Sequence, residues 1–323
     1  MTQRIVLAYS GGDRSSAAIS WLADRYEADV VALTLDIGQG GDLEEVRDRA
    51  LALGAIRAHV LDVRDVYARH YLIPALKADA LYDGRRSRAN ALSRPLIAQK
   101  LVEIAAIEET TLVAHASPAA DSRITVAARA LNPAVDVLTL PSDPSDFMRP
   151  RRVTADRSAA KSPIDCPDEP ALVEVTFTGG VPTAINAVAM PLVDLVGSLD
   201  IIAGAHGVGG RDDLESPAAT VLHAAHKELQ TLTITGEAGT FSLSVSRQLA
   251  DIIDRGSWFT PLAESLVAYV DKIQERVSGT IRLKLFKGRC TIVDRRFAVP
   301  GAVPAVLVAQ PFRAAQRGGP RQA

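Results

Sequence analysis

This 323-residue sequence has few cysteines, almost no net charge and no long apolar run, and each shortage excludes a class of protein. Its two cysteines, Cys166 and Cys290, lie far apart and form neither a disulfide framework nor a four-ligand metal site. A net charge of −2 provides no basic surface for nucleic acid. No run approaches the roughly 20 apolar residues of a membrane span, and no signal-peptide pattern opens the chain. We therefore expect a cytoplasmic protein without nucleic-acid or membrane partners.

Apolar content and a proline-rich stretch predict two domains. Apolar residues make up 47% of the chain, which is enough for two cores. Residues 141–170 are rich in Pro, Asp, Ser and Arg and lack a sustained period, as is typical of a linker. We expect a first domain over 1–150, a linker over 151–170, a second domain over 171–300 and a tail without fixed structure over 301–323.

Short β-branched runs alternate with amphipathic helical stretches through the first 150 residues. This alternation is typical of βαβ units, so we predict an α/β domain with a parallel sheet. A helix is predicted over 43–53, with Asp42 as its N-cap and acidic residues in its first turn. The predicted strands are Ile5–Ala8, Val30–Leu35, Ala58–Leu61, Thr111–Ala114 and Val137–Leu140.

The second domain mixes hairpin and helix patterns and is predicted to be α+β. Apolar runs flank the turn Gly179–Gly180, which indicates an antiparallel hairpin. His223 and His226 are spaced i, i+3, but no Glu or Cys completes a metal site, so we expect ordinary helix-surface histidines. Helices are predicted over 192–203, 218–229 and 261–276, and strands over 231–235, 241–245, 281–285 and 291–293.

The stretch Ile5–Gly12 has the character of a polyphosphate-binding turn. An apolar strand leads into Ser10, Gly11 and Gly12, and a helical pattern follows, so backbone N–H groups at a helix start would face an anion. A plain connection between strand and helix is the alternative interpretation. Ligands of parallel sheets bind at the carboxyl ends of the strands, where Ser10–Gly12, Asp36–Gln39 and His115–Asp121 are all expected.

With these segments in order, the chain resembles the argininosuccinate synthase family, which comprises N-type ATP pyrophosphatases of the PP-loop superfamily. The resemblance covers nearly the whole length, and its ordered matches are specific enough to indicate homology. They are Ala8–Gly12, Asp36–Gln39, Ala78–Arg85, Arg94–Ala98, Lys100–Ala105, Ala114–His115, His206–Gly209, Glu215–Thr220, Trp258–Pro261 and Gln274–Gly279.

The resemblance implies a fold similar to the adenine nucleotide alpha hydrolases, small-molecule substrates such as amino acids, ATP and Mg²⁺ as cofactors, and a homo-oligomer. In that family a citrulline oxygen attacks the α-phosphate of ATP, pyrophosphate leaves, and the aspartate amine displaces AMP. The implied nucleotide contacts are Ala8, Ser10, Gly11, Gly12, Ser16, Leu35, Asp36 and His115. The positions expected to face the substrates are Arg14, Arg86, Asn90, Asp121 and Arg123.

The chain departs from the family pattern at the phosphate-binding turn. The family reads Ser-Gly-Gly-Leu-Asp-Thr-Ser where this chain has Ser10-Gly-Gly-Asp-Arg-Ser-Ser16, so Arg14 replaces an aspartate. Arg14 either pairs with phosphate and partly replaces a magnesium ion, or is a surface arginine at a helix start. We assign no metal ligand.

Further departures lie where the family binds its amino acids. Arg86 replaces a tyrosine, Asn90 falls within a lost hydroxyl pair, and Pro118 replaces a threonine. Asp121 either stands in for a lost acid or forms a turn before a helix. Two family segments, between Phe147 and Pro167 and between Gly209 and Glu215, are almost entirely missing. The chain is therefore expected to be a shortened and divergent member.

Three functions follow from this pattern. The first is an ATP-dependent ligase that has changed substrates, because new cationic groups near the cleft would suit a more anionic molecule. The second is a non-catalytic homologue that acts as a binding or regulatory protein. The third is authentic argininosuccinate synthesis in arginine biosynthesis, with neighbouring groups replacing the lost contacts.

Overall fold

The computed structural model describes residues 3–82, 88–118, 120–141, 166–209 and 216–297. The chain divides into two compact units, and each is discontinuous. The first takes the described parts of Met1–Ala159, Asp212–Ser216 and Thr240–Lys272, and the second those of Ala160–Arg211, Pro217–Gly239 and Ile273–Ala323. The predicted domains were consecutive segments, whereas here Thr240–Lys272 joins the first unit because it contains long helices that pack there. The predicted linker lies mostly, and the predicted tail wholly, outside the described residues.

The first unit contains a parallel sheet in the order β3-β2-β1-β4-β5, which confirms the predicted α/β class. Its strand β1 is buried on both faces: Ile5 and Leu7 pack in one apolar cluster with α1, and Val6 packs in the other with α5 and α6. Burial on both faces explains why the strand sequences are nearly continuous apolar runs. The strands are β1 Arg4–Ala8, β2 Asp29–Asp36, β3 Arg57–Asp62, β4 Leu112–His115 and β5 Asp136–Thr139, and the packing helices are α1 Asp13–Tyr26, α5 Ala89–Ile107 and α6 Arg123–Leu131.

The other helical segments of the first unit begin where the sequence offers a cap or a break. Asp42 caps α2 as predicted, because its Oδ1 accepts from the backbone N–H groups of Glu44 and Glu45 at 3.0 Å each. A π-helical stretch, Ala68–Leu72, separates two short helices. The segments are α2 Leu43–Ala52, α3 Arg64–Tyr67, α4 Ile73–Lys77 and most of α9 Gly236–Arg255 and α10 Pro261–Gln274.

The second unit is built on an antiparallel sheet in the order β10-β9-β6-β7-β8, so the predicted α+β class is confirmed. The predicted hairpin at Gly179–Gly180 is present between β6 and β7. Among the described residues of this unit, α7 and α8 accompany the sheet. The elements are β6 Ala171–Thr178, β7 Val181–Ile185, β8 Val188–Ala189, α7 Leu192–Ala205, α8 Pro217–Thr233, β9 Gly279–Phe286 and β10 Arg289–Phe297.

Two predictions about helices were wrong. The strands predicted over 231–235 and 241–245 are instead the end of α8 and the first half of α9. His226 is not a surface histidine: it is 1% exposed, its Nε2 lies 2.9 Å from Gln274 Oε1, and its ring meets Phe177 edge-on.

Across the residues that the structure describes, we find no helix with the length and apolarity of a membrane span.

Candidate functional site

A cleft of about 540 Å³ opens at the carboxyl ends of β1, β2 and β4 in the first unit. The sequence placed three segments at these strand ends, and the structure brings residues of all three to the cleft wall. Ala8 and Asn90 line it as well. The wall includes Ser10, Gly12, Leu35, Gln39, His115 and Pro118.

The phosphate turn, which we define as Ser10–Ser16, is braced by its own hydroxyl groups. Ser15 Oγ donates to the Gly12 carbonyl at 2.9 Å and accepts from the Ser10 backbone N–H at 3.3 Å. The hydroxyls of Ser16 and Tyr9 lie 3.1 Å apart. The turn therefore presents the start of α1 to the cleft in one fixed form. Ser15 had no role in the sequence prediction, although its place in the first turn of the helix was a usable signal.

Gly11 has a conformational reason to be glycine. Its φ of +74° lies in the left-handed region, and a Cβ there would stand 3.1 Å from Val46 Cγ2 on α2. Gly12, by contrast, is the extended N-cap of α1 and has a negative φ. From α2, Arg49 donates to the Gly11 carbonyl at 3.0 Å and so holds the turn from outside.

The Arg14 side chain is held by hydrogen bonds to two backbone carbonyls. Its Nε donates to the carbonyl of Ala116 at 2.8 Å, and its Nη2 donates to the carbonyl of Pro141 at 2.9 Å. These carbonyls follow β4 and β5, so one guanidinium joins the start of α1 to two neighbouring strand ends. Arg14 also lines the cleft. Its half-buried position differs from that of an ordinary surface arginine.

The loop that follows β2 is fixed by its own side chains. Asp36 Oδ1 accepts from the Gly38 N–H at 2.9 Å, and Gln39 Nε2 donates to the Leu35 carbonyl at 2.8 Å. Asp36 Oδ2 lies 3.5 Å from Arg64 Nε. The carboxylate of Asp36 is thus engaged within the loop, while Leu35 and Gln39 face the cleft.

His115 is a buried, neutral imidazole on the cleft wall. It is 3% exposed, its Nε2 lies 3.0 Å from Thr125 Oγ1, and within the described part of the chain its Nδ1 has no hydrogen-bond partner. Burial lowers the pKa of His115 to about 4; the nearby Arg94 charge adds to this, and Asp121 opposes it. An unpartnered polar nitrogen at this wall is suited to a hydrogen bond from a bound molecule.

Asp121 is bound by two arginines, and we call Arg94, Asp121 and Arg123 the arginine cluster. Arg123 holds the carboxylate through both oxygens, with Nε to Oδ1 at 2.6 Å and Nη2 to Oδ2 at 2.9 Å. Arg94 Nε lies 3.3 Å from Oδ2. Burial raises the pKa of Asp121, but the hydrogen bond from Arg123 and the two positive charges outweigh it and hold the pKa below its usual range. Sequence reasoning gave Arg94 no role.

Of the other residues predicted to face the substrates, the structure places Asn90 at the cleft. Asn90 is exposed at the cleft wall, and its carbonyl accepts from the Ser93 hydroxyl at 2.7 Å. The neighbouring Arg88 lies 3.0 Å from Asp254 Oδ2. Arg86 falls outside the described residues.

The described carboxylates at this edge of the sheet do not gather into a cluster of metal ligands. Within the ranges that the structure describes, no three side chains of His, Cys, Asp or Glu group closely enough to hold a metal ion. Asp36 and Asp121 are already paired with arginines. The described residues thus provide no set of three protein ligands for a metal ion, whereas Mg²⁺ at nucleotide sites is usually held by one or two carboxylates together with phosphates.

Comparison with known proteins gives consistent matches over both units. The family model for the arginosuccinate synthase N-terminal HUP domain matches residues 4–156, and that for the arginosuccinate synthase C-terminal domain matches residues 157–299. Proteins named argininosuccinate synthase from Oceanobacillus iheyensis, Geobacillus thermodenitrificans and Brevibacillus brevis are 35%, 36% and 37% identical. Each alignment covers 91% of this chain and 84%, 86% and 84% of the respective relative.

A match to a solved structure is much weaker. The NAD⁺ synthetase from Burkholderia pseudomallei is 22% identical, with 47% of this chain and 68% of that chain covered and a TM-score of 0.26. A likeness of this size carries no argument about function.

Proposed function

Because the chain belongs to the argininosuccinate synthase family, we propose that it is an ATP-dependent ligase that adenylates a substrate oxygen, releases pyrophosphate and couples an amine. We further propose that its substrates differ from citrulline and aspartate, and that it self-associates.

The proposed reaction has two steps. The substrate oxygen forms a bond to the α-phosphorus of ATP, and the bond from that phosphorus to the bridging oxygen breaks, so pyrophosphate leaves with the electron pair. The amine then bonds to the activated carbon, AMP leaves with the electrons of the carbon–oxygen bond, and the amine proton passes to solvent. Positioning and charge stabilisation are the protein's contribution to such a reaction.

The phosphate turn is the observation that carries the ATP part of this proposal. The first-turn N–H groups of α1 and the hydroxyls of Ser10 and Ser15 meet where the turn borders a cleft of about 540 Å³. A helix start whose turn is held in place by hydroxyl groups is a suitable site for the leaving pyrophosphate. The neutral His115 supports a nucleotide on the same wall.

The arginine cluster supports a change of substrate. The resemblance places Arg123 at the position of an arginine that contacts citrulline, but here Asp121 already takes one edge of its guanidinium, through Nε and Nη2. A second carboxylate would have to share this guanidinium with an internal one of equal charge. The alignments to the relatives also extend over 350 to 352 residues, more than the 323 of this chain, so some relative positions have no counterpart here.

A pyrophosphate-release assay tests the proposal. The purified chain is given ATP with citrulline and aspartate, and then with panels in which each amino acid is replaced by other oxygen nucleophiles or amines. We expect release with a replacement pair and not with citrulline plus aspartate. Ser15→Ala should reduce release, whereas Ser20→Ala, an exposed change on the same helix, should not.

The other outcomes correspond to the other two functions. Release with citrulline plus aspartate would establish authentic argininosuccinate synthesis and refute the changed substrates. ATP binding without release from any pair would favour a non-catalytic homologue. Sedimentation velocity checks the proposed self-association, and a monomer at micromolar concentration would contradict it.

A further inference from the structure

His115 is a buried polar side chain of the cleft wall, and half of its hydrogen-bonding capacity is unused among the described residues. It is 3% exposed and lines the same cleft as the phosphate turn. Its Nε2 lies 3.0 Å from Thr125 Oγ1, whereas its Nδ1 has no hydrogen-bond partner in the described part of the chain. A buried polar nitrogen without a partner costs free energy until a ligand completes its hydrogen bonding.

The register of the sheet places His115 beside the strand that leads into the phosphate turn. His115 on β4 pairs with Ala8 on β1, and Ser10 follows Ala8 by two residues. On its other side, Ala8 pairs with Leu33 of β2. Neighbouring strands lie about 4.8 Å apart. The imidazole therefore starts one strand spacing from β1, on the side opposite to β2.

An ATP molecule bound as proposed above crosses the end of β1. Its terminal phosphates lie at the phosphate turn and its nucleoside lies toward β2, as the resemblance implies for Leu35, so its α-phosphate lies between them. We propose that His115 donates a hydrogen bond from Nδ1 to a non-bridging oxygen of the α-phosphate of ATP, and that Thr125 orients the ring for this contact. The inference rests on the proposed function, since it assumes that ATP occupies the cleft.

Thr125 determines which ring nitrogen carries the proton. Among the described residues, the Thr125 hydroxyl has no hydrogen-bond acceptor other than His115 Nε2. When a hydroxyl donates to Nε2, the proton of a neutral imidazole is on Nδ1. Nδ1 is then a donor, and the oxygens of an ionised phosphate are acceptors. Thr125 is thus a positioning residue that acts through the histidine.

The surroundings of His115 keep it a neutral donor. Burial lowers its pKa to about 4, and the charges of Arg94 and Asp121 act on it with opposite signs. The hydrogen bond to phosphate therefore depends on the tautomer and does not need a second ring proton. Since the α-phosphorus is the atom attacked in the proposed reaction, a donor at its oxygens would hold that group in place for the attack.

Calorimetric titration of the full chain with ATP and ATPαS, in the presence of Mg²⁺, tests the contact. ATPαS has sulfur, a weak hydrogen-bond acceptor, in place of one non-bridging α-oxygen, and its two diastereomers place the sulfur at the two alternative positions. For the wild type, we expect one diastereomer to bind about 10- to 100-fold more weakly than ATP, the size of a hydrogen bond to a charged group.

Two variants of His115 separate the roles of its two nitrogens. His115→Gln reaches the place of Nε2 but not that of Nδ1, so it should bind ATP about 10- to 100-fold more weakly, with ATP and both diastereomers equal within about threefold. His115→Asn is the matched control: its amide nitrogen takes the place of Nδ1, so its affinity for ATP should stay within about fivefold of the wild type. Circular dichroism checks that both variants are folded.

The tautomer provides a measurement on the wild-type chain. With ¹⁵N-labelled histidine, long-range ¹H–¹⁵N spectra distinguish a protonated ring nitrogen from an unprotonated one, and the His115 signals are those missing from His115→Asn. We expect the proton on Nδ1, and a shift of the Nδ1 signal when ATP is added. Thr125→Val should move part of the population to the other tautomer, which loss of packing alone would not do.

The results separate this inference from the proposed function. Equal wild-type affinities for ATP and both diastereomers, unchanged ATP binding in His115→Gln, or a ring protonated at Nε2 in the ATP-bound protein would each overturn the contact while leaving ATP binding in place. The wild-type measurements decide the matter even if a variant fails to fold. No saturable binding of ATP to the wild type would overturn the proposed function and the inference together.

Discussion

The phosphate turn and the arginine cluster belong to the same unit and differ in how their polar groups are satisfied. In the turn, the serine hydroxyls and backbone groups of Ser10, Gly12 and Ser15 bond to one another. In the cluster, one carboxylate is shared by guanidinium groups from α5 and α6. The serine contacts of the turn are between neutral groups, whereas the cluster contains a carboxylate. This difference is the basis of our proposal that ATP binding is retained while the amino-acid substrates have changed.

The largest expected effect is on the packing behind the cluster. Gly256 has a φ of +73°, and a Cβ there would lie 2.6 Å from both the Cα and the carbonyl oxygen of Arg123. Backbone atoms cannot move aside, so Gly256→Ala should destabilise the fold by about 4 kcal/mol, from left-handed strain plus overpacking. Gly54→Ala is the control: φ is +104° but no atom lies within 4 Å, so only the strain applies. If urea denaturation gives the same loss of unfolding free energy for both variants, the contact of residue 256 with the Arg123 backbone does not limit the packing.

The second largest effect is the pH dependence of the unfolding free energy that we expect from the buried His115. Its folded pKa of about 4 lies below the unfolded value of about 6.5, so the unfolded chain binds the proton first. Its contribution to stability is complete above pH 6.5 and is lost as the pH falls toward 4, by about 3 kcal/mol in total. His115→Asn should flatten the stability profile in that window. An unchanged slope in the variant would assign the loss to other groups.

Removal of the internal carboxylate should alter the cluster itself. Asp121→Asn leaves Arg94 and Arg123 without their anion, and partial exposure limits the cost to about 2 kcal/mol. The same change should let acetate or another small carboxylate stabilise the protein in a thermal shift assay. Asp62→Asn breaks an exposed pair with Arg64 and should cost less than about 1 kcal/mol. No carboxylate effect in Asp121→Asn would refute the idea that Asp121 occupies a ligand position.

The smallest effect tests the turn. Ser15→Ala removes the bonds to the Gly12 carbonyl and the Ser10 N–H, which should cost about 1 kcal/mol of unfolding free energy. Ser20→Ala on the exposed side of α1 should change the stability by less than half as much. If both variants unfold at the wild-type urea concentration, the hydroxyl bracing is not a source of stability.

The first unit could be predicted from sequence because its signals are local and agree with one another. All five strands were expected from β-branched runs, and the cap at Asp42 from a residue type that satisfies helix N–H groups. The second unit was harder where side chains suit two structures. Phe241–Val245 alternates apolar and polar residues like a strand, but Val245 and Leu249 are buried four residues apart on a helix, while Phe241 stays exposed.

Threonine hydroxyl groups explain why residues 231–235, predicted as a strand, are the end of α8. Thr231 and Thr233 favour a strand by propensity, but in α8 each hydroxyl donates to the carbonyl four residues earlier, at 2.8 Å. His226 was missed for a related reason, since it shares a helix face with the buried Leu222 and Leu229.

The candidate site could be predicted only in part. The segments that reach the cleft could be predicted because they follow the carboxyl ends of strands. Hydrogen-bond and ion-pair partners that are far apart in sequence could not. The contact of Arg14 with Pro141 spans 127 residues. Nothing in the local pattern around Asp121 indicates that Arg94, from another helix, shares its carboxylate.

A calorimetric titration of the wild-type chain with ATP, followed by citrulline in the same cell, tests the contrast between the two regions most directly. We predict a saturable heat for ATP and no heat for citrulline, with or without the nucleotide. Saturable citrulline binding to the ATP-loaded protein would show that the arginine cluster still accepts an amino-acid carboxylate, and would contradict the account.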